Sequence, residues 1–481
     1  MAVFYEHSID ILTERLSRLN GVGSEDIKIN TRREAEISLA FAEAAAQGGF
    51  RRGEGTLFCF TSKKYVRLLP EDLTVLVGEV MKRVGIGIVY SVNSVGKAVK
   101  TMINSYNIPI FEPSKSTISF RNCVLDIDTM RSYKHDERFM TRIFFNFDYN
   151  ASARCPNWRK FCGEVIQDEA SIGVMQEFFG MMFIDRKKVK IAKSLYLYGT
   201  GSNGKSVVQA VISTMLGTDN CSTFSLQQLC TDYSADYNCA VANGKLLNFT
   251  PDMGDKDYSG GKYKAISDYE PIWVRPIGMA PFQADDMPLL AANVNKIPIS
   301  SDSSDGHWRR HLIIRFEKKF EGGNEDKFLI PKLLSEASGI FNWIIEGRNR
   351  LLENKGQFTE SKVIEDTLAI ARLESSTVLS WCKECRYVAE LKEGQKGEKM
   401  RMFMRNMLED YTSYCRSGNN IPKSKFNFKA DLVQAGFKYS DSMRIDGNVS
   451  TGFEFYQLEE EAIFVKNEGI DLDYESSKLP F

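Results

Sequence analysis

The spacing of apolar positions changes several times along the chain, and those changes divide it. Residues 1 to about 45 read as helical. The run 32–47 is rich in Ala, Glu and Leu, all good helix formers, and Gly48-Gly49 ends it. Short β-like runs at 57–60 and 65–68 flank a turn, and Pro70 opens a helix through 83. Residues 118–127 and 142–149 read as strands. From about 165 to 320 the apolar runs become short and unbroken, at 194–198, 245–250, 288–293 and 311–316. Strands buried on both faces under helices have that pattern, which predicts an α/β core with a parallel sheet. A helical pattern returns after 325 and runs through about 362. Residues 375–481 read as a small α+β unit, with helices at 400–415 and 428–435 and a hairpin-like stretch at 437–458.

At 481 residues the chain is too long for one ordinary core, and two to four domains are expected. It is 43% hydrophobic and 26% charged, which fits a globular protein. No run approaches the roughly 18 apolar residues of a membrane span, and the N-terminus does not read as a signal peptide. A membrane partner is not expected. Ten cysteines without framework spacing imply a reducing, cytoplasmic setting. Cys382 and Cys385 form a lone CxxC without the two further ligands that a zinc site needs. Net charge is −1, so any nucleic-acid contact must come from local basic surface.

The strongest chemical signal is Gly199-Thr200-Gly201-Ser202-Asn203-Gly204-Lys205-Ser206, a GxxxxGK[ST] phosphate-binding loop. A strand leads in. A helix leads out, with Val207, Val211, Met215 and Val208, Ile212, Leu216 repeating every four residues. Glycines let backbone N–H groups curl around phosphate oxygens, and the helix N-terminus adds positive potential. Lys205 is expected to reach the β and γ phosphates of ATP, and the Ser206 hydroxyl to ligate Mg2+. Kinases, GTPases, transporters and helicases all share such a loop, so it does not identify the work done.

The order of the remaining motifs resembles the phage, plasmid and poxvirus primase-helicase family, whose motor is a superfamily 3 helicase of AAA+ type. Upstream lie "ISFRNCVLDIDT" and "FDYNASARCPNWRKF", followed by the loop variant "GTGSNGKS". "GKYKAISDYEPIWVRP", "LLAANVNKIPISSDSSDGHWRRHLIIRF" and "SEASGIFNWIIEGRNRLLENKGQF" follow in the family's order. Together they cover roughly residues 50 to 460.

The resemblance implies roles residue by residue. "KLLNFTPDMG" falls where the Walker B strand belongs, so Asp252 polarises water or holds the Mg2+ shell. The family commonly has two adjacent acids there. This chain has Pro251 before Asp252, and Asp255 or Asp257 could substitute. Asn295, with Asn293 as its rival, matches sensor 1. Arg310, and second Arg309, match the arginine finger that a neighbouring subunit supplies to stabilise phosphoryl-transfer charge.

In this family a hairpin before sensor 1 projects into the ring channel. Here it falls near 273–282 with an apolar tip, "PIGMAP", and Lys264 and Arg275 are the nearby basic residues. The tail resembles a winged helix. It interleaves Lys423, Lys425, Lys429 and Lys438 with Phe426, Phe428 and Phe437, which suits nucleic acid or an amphipathic helix equally. Lys425 and Lys429 are the candidate contacts there. Asp126 and Asp128 form a DxD that could hold metals for priming, but the matched segment is a structural strand in the family.

The expected architecture is therefore an N-terminal helical α+β domain over 1–150, serving as collar or for oligomerisation. A superfamily 3 AAA+ core with a helical lid spans 151–370, and a winged-helix-like domain spans 371–481. The expected function is an ATP-dependent DNA helicase in viral or mobile-element replication, a homo-hexameric ring on single-stranded or forked DNA. A separate primase or loader is a candidate partner, and 3′ to 5′ polarity is implied by resemblance alone. The rival reading is a nucleotide-gated ring that binds DNA and remodels origins without processive unwinding. A small-substrate P-loop enzyme is a second rival.

Overall fold

A computed structural model describes residues 2–19, 31–84, 92–253, 258, 260–277, 280–295, 305–318, 326–392, 394–418 and 422–459. The chain divides into two compact units, Met1–Leu368 and Ala369–Phe481.

In the first unit the helices Ala2–Leu19, Thr31–Gln47, Pro70–Arg83 and Val92–Asn104 share a core that includes Leu12, Leu16, Phe41, Leu73, Val77 and Met102. A three-stranded antiparallel meander, Arg51–Gly53, Thr56–Phe60 and Tyr65–Leu68, follows the second helix. Two strand expectations need correction. Residues 118–127 are not one strand but a tight hairpin of Thr117–Ser119 and Val124–Asp126, closed where Phe120 N donates to Cys123 O at 2.8 Å. Residues 142–149 make only an isolated bridge between Ser119 and Phe144. Their aromatic rings pack instead: Phe145 and Tyr149 lie 6.0 Å from Phe341, and Phe147 lies 5.4 Å from Phe120.

Among the described residues the central sheet has five parallel strands: β1 (Ser194–Tyr198), β2 (Cys221–Ser222), β3 (Leu247–Thr250), β4 (Leu289–Val294) and β5 (His311–Arg315). Their order is β5-β1-β4-β3-β2. Strands β1, β3 and β4 are buried almost along their whole length, and their polar Asn248, Thr250 and Asn293 are buried with them. The helices that matter below are α1 (Glu169–Gly180), α2 (Lys205–Leu216), α3 (Gly261–Ser267), α4 (Asp305–Trp308) and α5 (Ala337–Glu353).

Helices α1 and α5 touch backbone to backbone through glycine. A Cβ on Gly347 would lie 2.4 Å from Gln176 O, and one on Gly180 would lie 2.3 Å from Arg348 N. The buried Glu177 carboxylate on α1 is satisfied by Arg350 Nε at 2.6 Å and by Thr359 N at 2.8 Å. Asp126 and Asp128 do not form a carboxylate pair on one strand face, because the strand ends at Asp126. Asp126 caps the following turn, accepting from Asp128 N at 2.9 Å, and Asp128 pairs with Arg348.

The second unit has an antiparallel sheet of Tyr387–Val388, Gly397–Phe403, Lys438–Ile445 and Asn448–Leu458. The expected helix at 400–415 begins only at Met404, because residues 397–403 pair along the last strand. Trp381, Tyr411, Phe428, Phe453 and Phe455 form the core with helices Thr377–Glu384, Met404–Ser417 and Lys425–Gln434. No described helix is long and apolar enough to cross a membrane.

Candidate nucleotide-binding site

β1 ends at Tyr198, between β4 and β5, and the glycine loop begins at the next residue. Gly199 N donates to Val294 O at 3.2 Å, anchoring the loop to β4. A Cβ on Gly199 would lie 2.1 Å from Asn203 Nδ2, so the loop closes on itself only with glycine there. The backbone then turns through left-handed positions at Gly201 (φ 52), Ser202 (φ 47) and Gly204 (φ 93), and α2 starts at Lys205. Asn203, which is buried, donates to Phe316 O at 3.2 Å just beyond β5. One loop thus ties together the C-terminal ends of β1, β4 and β5.

Lys205 is buried and its Nζ donates to Asn203 Oδ1 at 2.9 Å and to Gly199 O. Burial pulls its ammonium below the ordinary lysine range, and the Asp252 carboxylate opposes that pull. The two groups therefore share one electrostatic site. Thr200, Gly201, Ser202 and Ser206 are exposed around it, as is Asp252 beyond β3. Curled glycine backbone, a helix N-terminus, a buried lysine, an open hydroxyl and a carboxylate fit a nucleotide phosphate with its Mg2+.

The two sensor candidates differ in setting. Asn295 is exposed just past β4. Asn293 is buried in β4, and its Nδ2 donates to Gln209 Oε1 of α2 at 2.9 Å. Among the described residues its Oδ1 has no donor. Asp255 and Asp257 lie outside the described residues.

The arginine pair separates. Arg310 matches the finger in sequence, but its side chain is 6% exposed and pairs with Asp268 at the end of α3, Nε to Oδ1 at 3.0 Å and Nη2 to Oδ2. Its Nη1 donates to Gly306 O. A guanidinium committed on all three nitrogens to its own chain cannot also reach a neighbour's phosphate, so the finger reading moves to the exposed Arg309. The sequence hides this because Asp268 is 42 residues away.

The expected hairpin forms from Ile272–Val274 and Phe282–Ala284, with part of its tip outside the described residues. Arg275 is exposed on it. So is Trp273, at 69%, a residue not among the sequence candidates, although the alternation in "PIWVR" carries the signal. Lys264 is half-buried on α3. In the second unit the aromatic residues divide: Phe428 and Phe437 are core, whereas Phe426 is 80% exposed beside the exposed Lys425. The Lys429 ammonium sits 3.3 Å from the centre of the Tyr439 ring. Burial pushes the Cys382 thiol up, as in a packed core cysteine. Among the described residues no group of three or more His, Cys, Asp or Glu is placed to hold a metal.

Residues 91–167 match the family described as "D5 N terminal like", and residues 197–310 match a "Family of unknown function (DUF5906)". The first match falls within the stretch whose motifs resemble the primase-helicase family, and it supports that resemblance for this segment. "The apo structure of NrS-1 C terminal region (305-718)" is 11% identical, with a TM-score of 0.43, over 86% of this chain and 97% of that one. The A form apo structure of the same region is 11% identical, with a TM-score of 0.42, over 83% and 94%. At such scores these two likenesses carry no argument.

Proposed function

We propose that this primase-helicase relative is an ATP-driven DNA helicase of superfamily 3 type acting in replication. The observation that carries the reading is the loop from Gly199 to Ser206 after the parallel strand β1, between β4 and β5, with Lys205 and Asp252 in one electrostatic site. The strand order β5-β1-β4-β3-β2 supports an AAA+ core, in which the phosphate loop follows a strand flanked by the sensor strand. The order helix, two strands, helix, helix, hairpin from Thr377 to Leu458 in the second unit supports a winged helix.

In this reading Gly201, Ser202 and Gly204 supply backbone donors to phosphate, and Lys205 moves from Asn203 and Gly199 to the β and γ oxygens. Mg2+ held by Ser206 and Asp252 supplies charge neutralisation at those oxygens. Asn295, or Asn293 through its free Oδ1, orients water. Arg309 serves the next subunit of a ring. Trp273 and Arg275 on the hairpin, Lys264, and Lys425 with Phe426 and Lys429 contact the strand by charge and stacking.

The test is ATP hydrolysis with and without single-stranded DNA, for wild type and Lys205→Ala. Stimulation by DNA that vanishes in the variant is expected. Hydrolysis indifferent to DNA removes the helicase reading. Pro251, which leaves Asp252 without an adjacent acid, favours a second reading, a nucleotide-gated ring that remodels DNA without processive unwinding. Unwinding of a forked duplex separates the two.

A further inference from the structure

The Gly199–Ser206 loop sits at the C-terminal ends of the parallel strands. A second cleft opens at the opposite edge, where β3 and β4 begin, a strand's length away, or roughly 20 Å at about 3.3 Å per residue. Its charged and phenolic walls are Lys115, Arg142, Asp185, Arg186, Lys245, Tyr269 and Asp286. Four cations thus face Asp185 and Asp286 in the walls and the adjoining Glu54. Lys115 pairs with Asp286 at 2.7 Å, and Arg142 pairs with Glu54 Oε1 at 2.5 Å. Arg186 and Lys245 have no carboxylate within ion-pair distance among the described residues.

Arg186 is the more telling of the two. It is 8% exposed, yet among the described residues only its Nη2 has a hydrogen bond, to Met287 O. One face of the guanidinium lies on the Tyr269 ring, 3.9 Å from its centre, which leaves the N–H edge for a ligand. Burial holds the guanidinium down at about 10, against the help of Tyr269 and Asp286. Tyr269 lies in the left-handed region at φ 59, just past the end of α3, and its hydroxyl donates to Asp286. Lys245 Nζ rests on backbone carbonyls, Thr218 O, Asp219 O at 3.4 Å and Cys221 O at 3.5 Å. A buried guanidinium with an unbonded N–H edge is costly, and here it shares one cleft with a half-buried ammonium that has no ion pair among the described residues.

We propose that this cleft is a second phosphate site, separate from the nucleotide loop, which takes a dianionic phosphate on the edge of Arg186 with Lys245 as its second cation. A carboxylate or a phosphodiester would match one of the two cations that lack an ion pair, whereas inorganic phosphate or a phosphate monoester, close to two negative charges at neutral pH, matches both. The monoester could belong to a free nucleotide or to a 5′-phosphorylated DNA end.

The experiment uses the full chain carrying Lys205→Ala, so that the nucleotide loop does not contribute. Inorganic phosphate is titrated at constant ionic strength, with chloride as the balancing anion, and the thermal midpoint is followed. A saturable rise is expected, with phosphate affinity falling at least about tenfold when Arg186→Gln is added and less with Arg186→Lys, which keeps the charge but loses the fork. Should Arg186→Gln not fold, Lys245→Gln on the more open wall carries the same expectation. No saturable rise in the Lys205→Ala protein, or a rise unchanged by Arg186→Gln and Lys245→Gln, overturns the proposal. Competition by a 5′-phosphorylated but not a 5′-hydroxyl oligothymidylate assigns the site to DNA ends. Competition by neither supports the site as one for free phosphate, and equal competition by both makes the ligand a phosphodiester and overturns the dianion.

Discussion

Replacing Asp268 by Ala tests the division of labour between the two arginines. The substitution removes both acceptors that hold Arg310 Nε and Nη2, and leaves a guanidinium 6% exposed with only Gly306 O. Breaking a buried pair from one side costs roughly 3 to 5 kcal/mol. Asp268 is 26% exposed, so water reaches the gap and the lower end, about 3 kcal/mol, is expected. Arg310→Met removes the charge but keeps much of the volume. It strands only a partly hydrated carboxylate, and about 1 kcal/mol is expected. The double variant then lacks the stranded cation and is more stable than Asp268→Ala alone, a coupling of about 2 kcal/mol. Urea unfolding of the four proteins measures this, with stability taken from midpoints at unchanged slope. Arg309→Ala is the control: it leaves the midpoint in place and lowers ATP turnover by about a thousandfold or more if Arg309 is the finger. A coupling below about 0.5 kcal/mol, or equal loss of stability from Arg309→Ala and Arg310→Met, refutes the assignment of Arg310 as an internal anchor.

Gly347→Ala forces its Cβ against Gln176 O at 2.4 Å, so α1 and α5 must separate, and a loss of about 2 to 3 kcal/mol is expected in the same urea assay. His311 is fully buried, its Nδ1 donating to His307 O at 3.0 Å and its Nε2 accepting from Tyr258 OH at 2.7 Å. Burial lowers its pKa from 6.5 to about 3, so the unfolded chain takes up a proton that the folded one refuses. The stability this group contributes is therefore full above about pH 6.5 and falls as pH drops toward 3, by up to about 1.4 kcal/mol per pH unit. His311→Gln should flatten that part of the stability profile, and an unchanged slope would contradict the burial argument. Mixing Lys205→Ala with Arg309→Ala protein, each inactive alone, should restore part of the ATP turnover if the finger acts between subunits, whereas turnover that stays absent on mixing contradicts it.

What the sequence makes legible is what short-range physics decides. Strand β1 and helix α2 are each bracketed by signals within a few residues: an unbroken apolar run, a glycine loop, then a fourfold apolar repeat. The bounds of β1 match the reading, as do Pro70–Arg83 and Tyr65–Leu68, and the helix read after the loop is α2. Readings fail where a distant partner decides. The stretch 118–127 reads as one strand, yet it turns at Asn122, whose side chain is bonded to Tyr149 N and O at 2.9 and 3.0 Å. The interleaved Lys and Phe of the tail are ambiguous in sequence. Only the core of Trp381, Tyr411 and Phe453 draws Phe428 inward and leaves Phe426 outside. Arg310 falls in the same class, since its partner arrives from another helix.

The position of that pair bears on how the candidate site could be completed. Ser194 N donates to Arg310 O at 2.7 Å, and Lys193 Nζ donates to Arg309 O at 2.7 Å, so the turn after α4 is fastened to the start of β1. The phosphate loop begins at the other end of the same strand. Five residues at about 3.3 Å each separate the two, roughly 17 Å, which exceeds the reach of an arginine side chain. Arg309 therefore cannot serve the nucleotide of its own subunit without dismantling β1 and β5, which are buried and paired along their length. If Arg309 acts on a phosphate at all, that phosphate belongs to another copy. The internal pair of Arg310 with Asp268 then has a mechanical sense: by fixing one residue of the turn inward, it fixes its neighbour outward, toward where such a copy would bind.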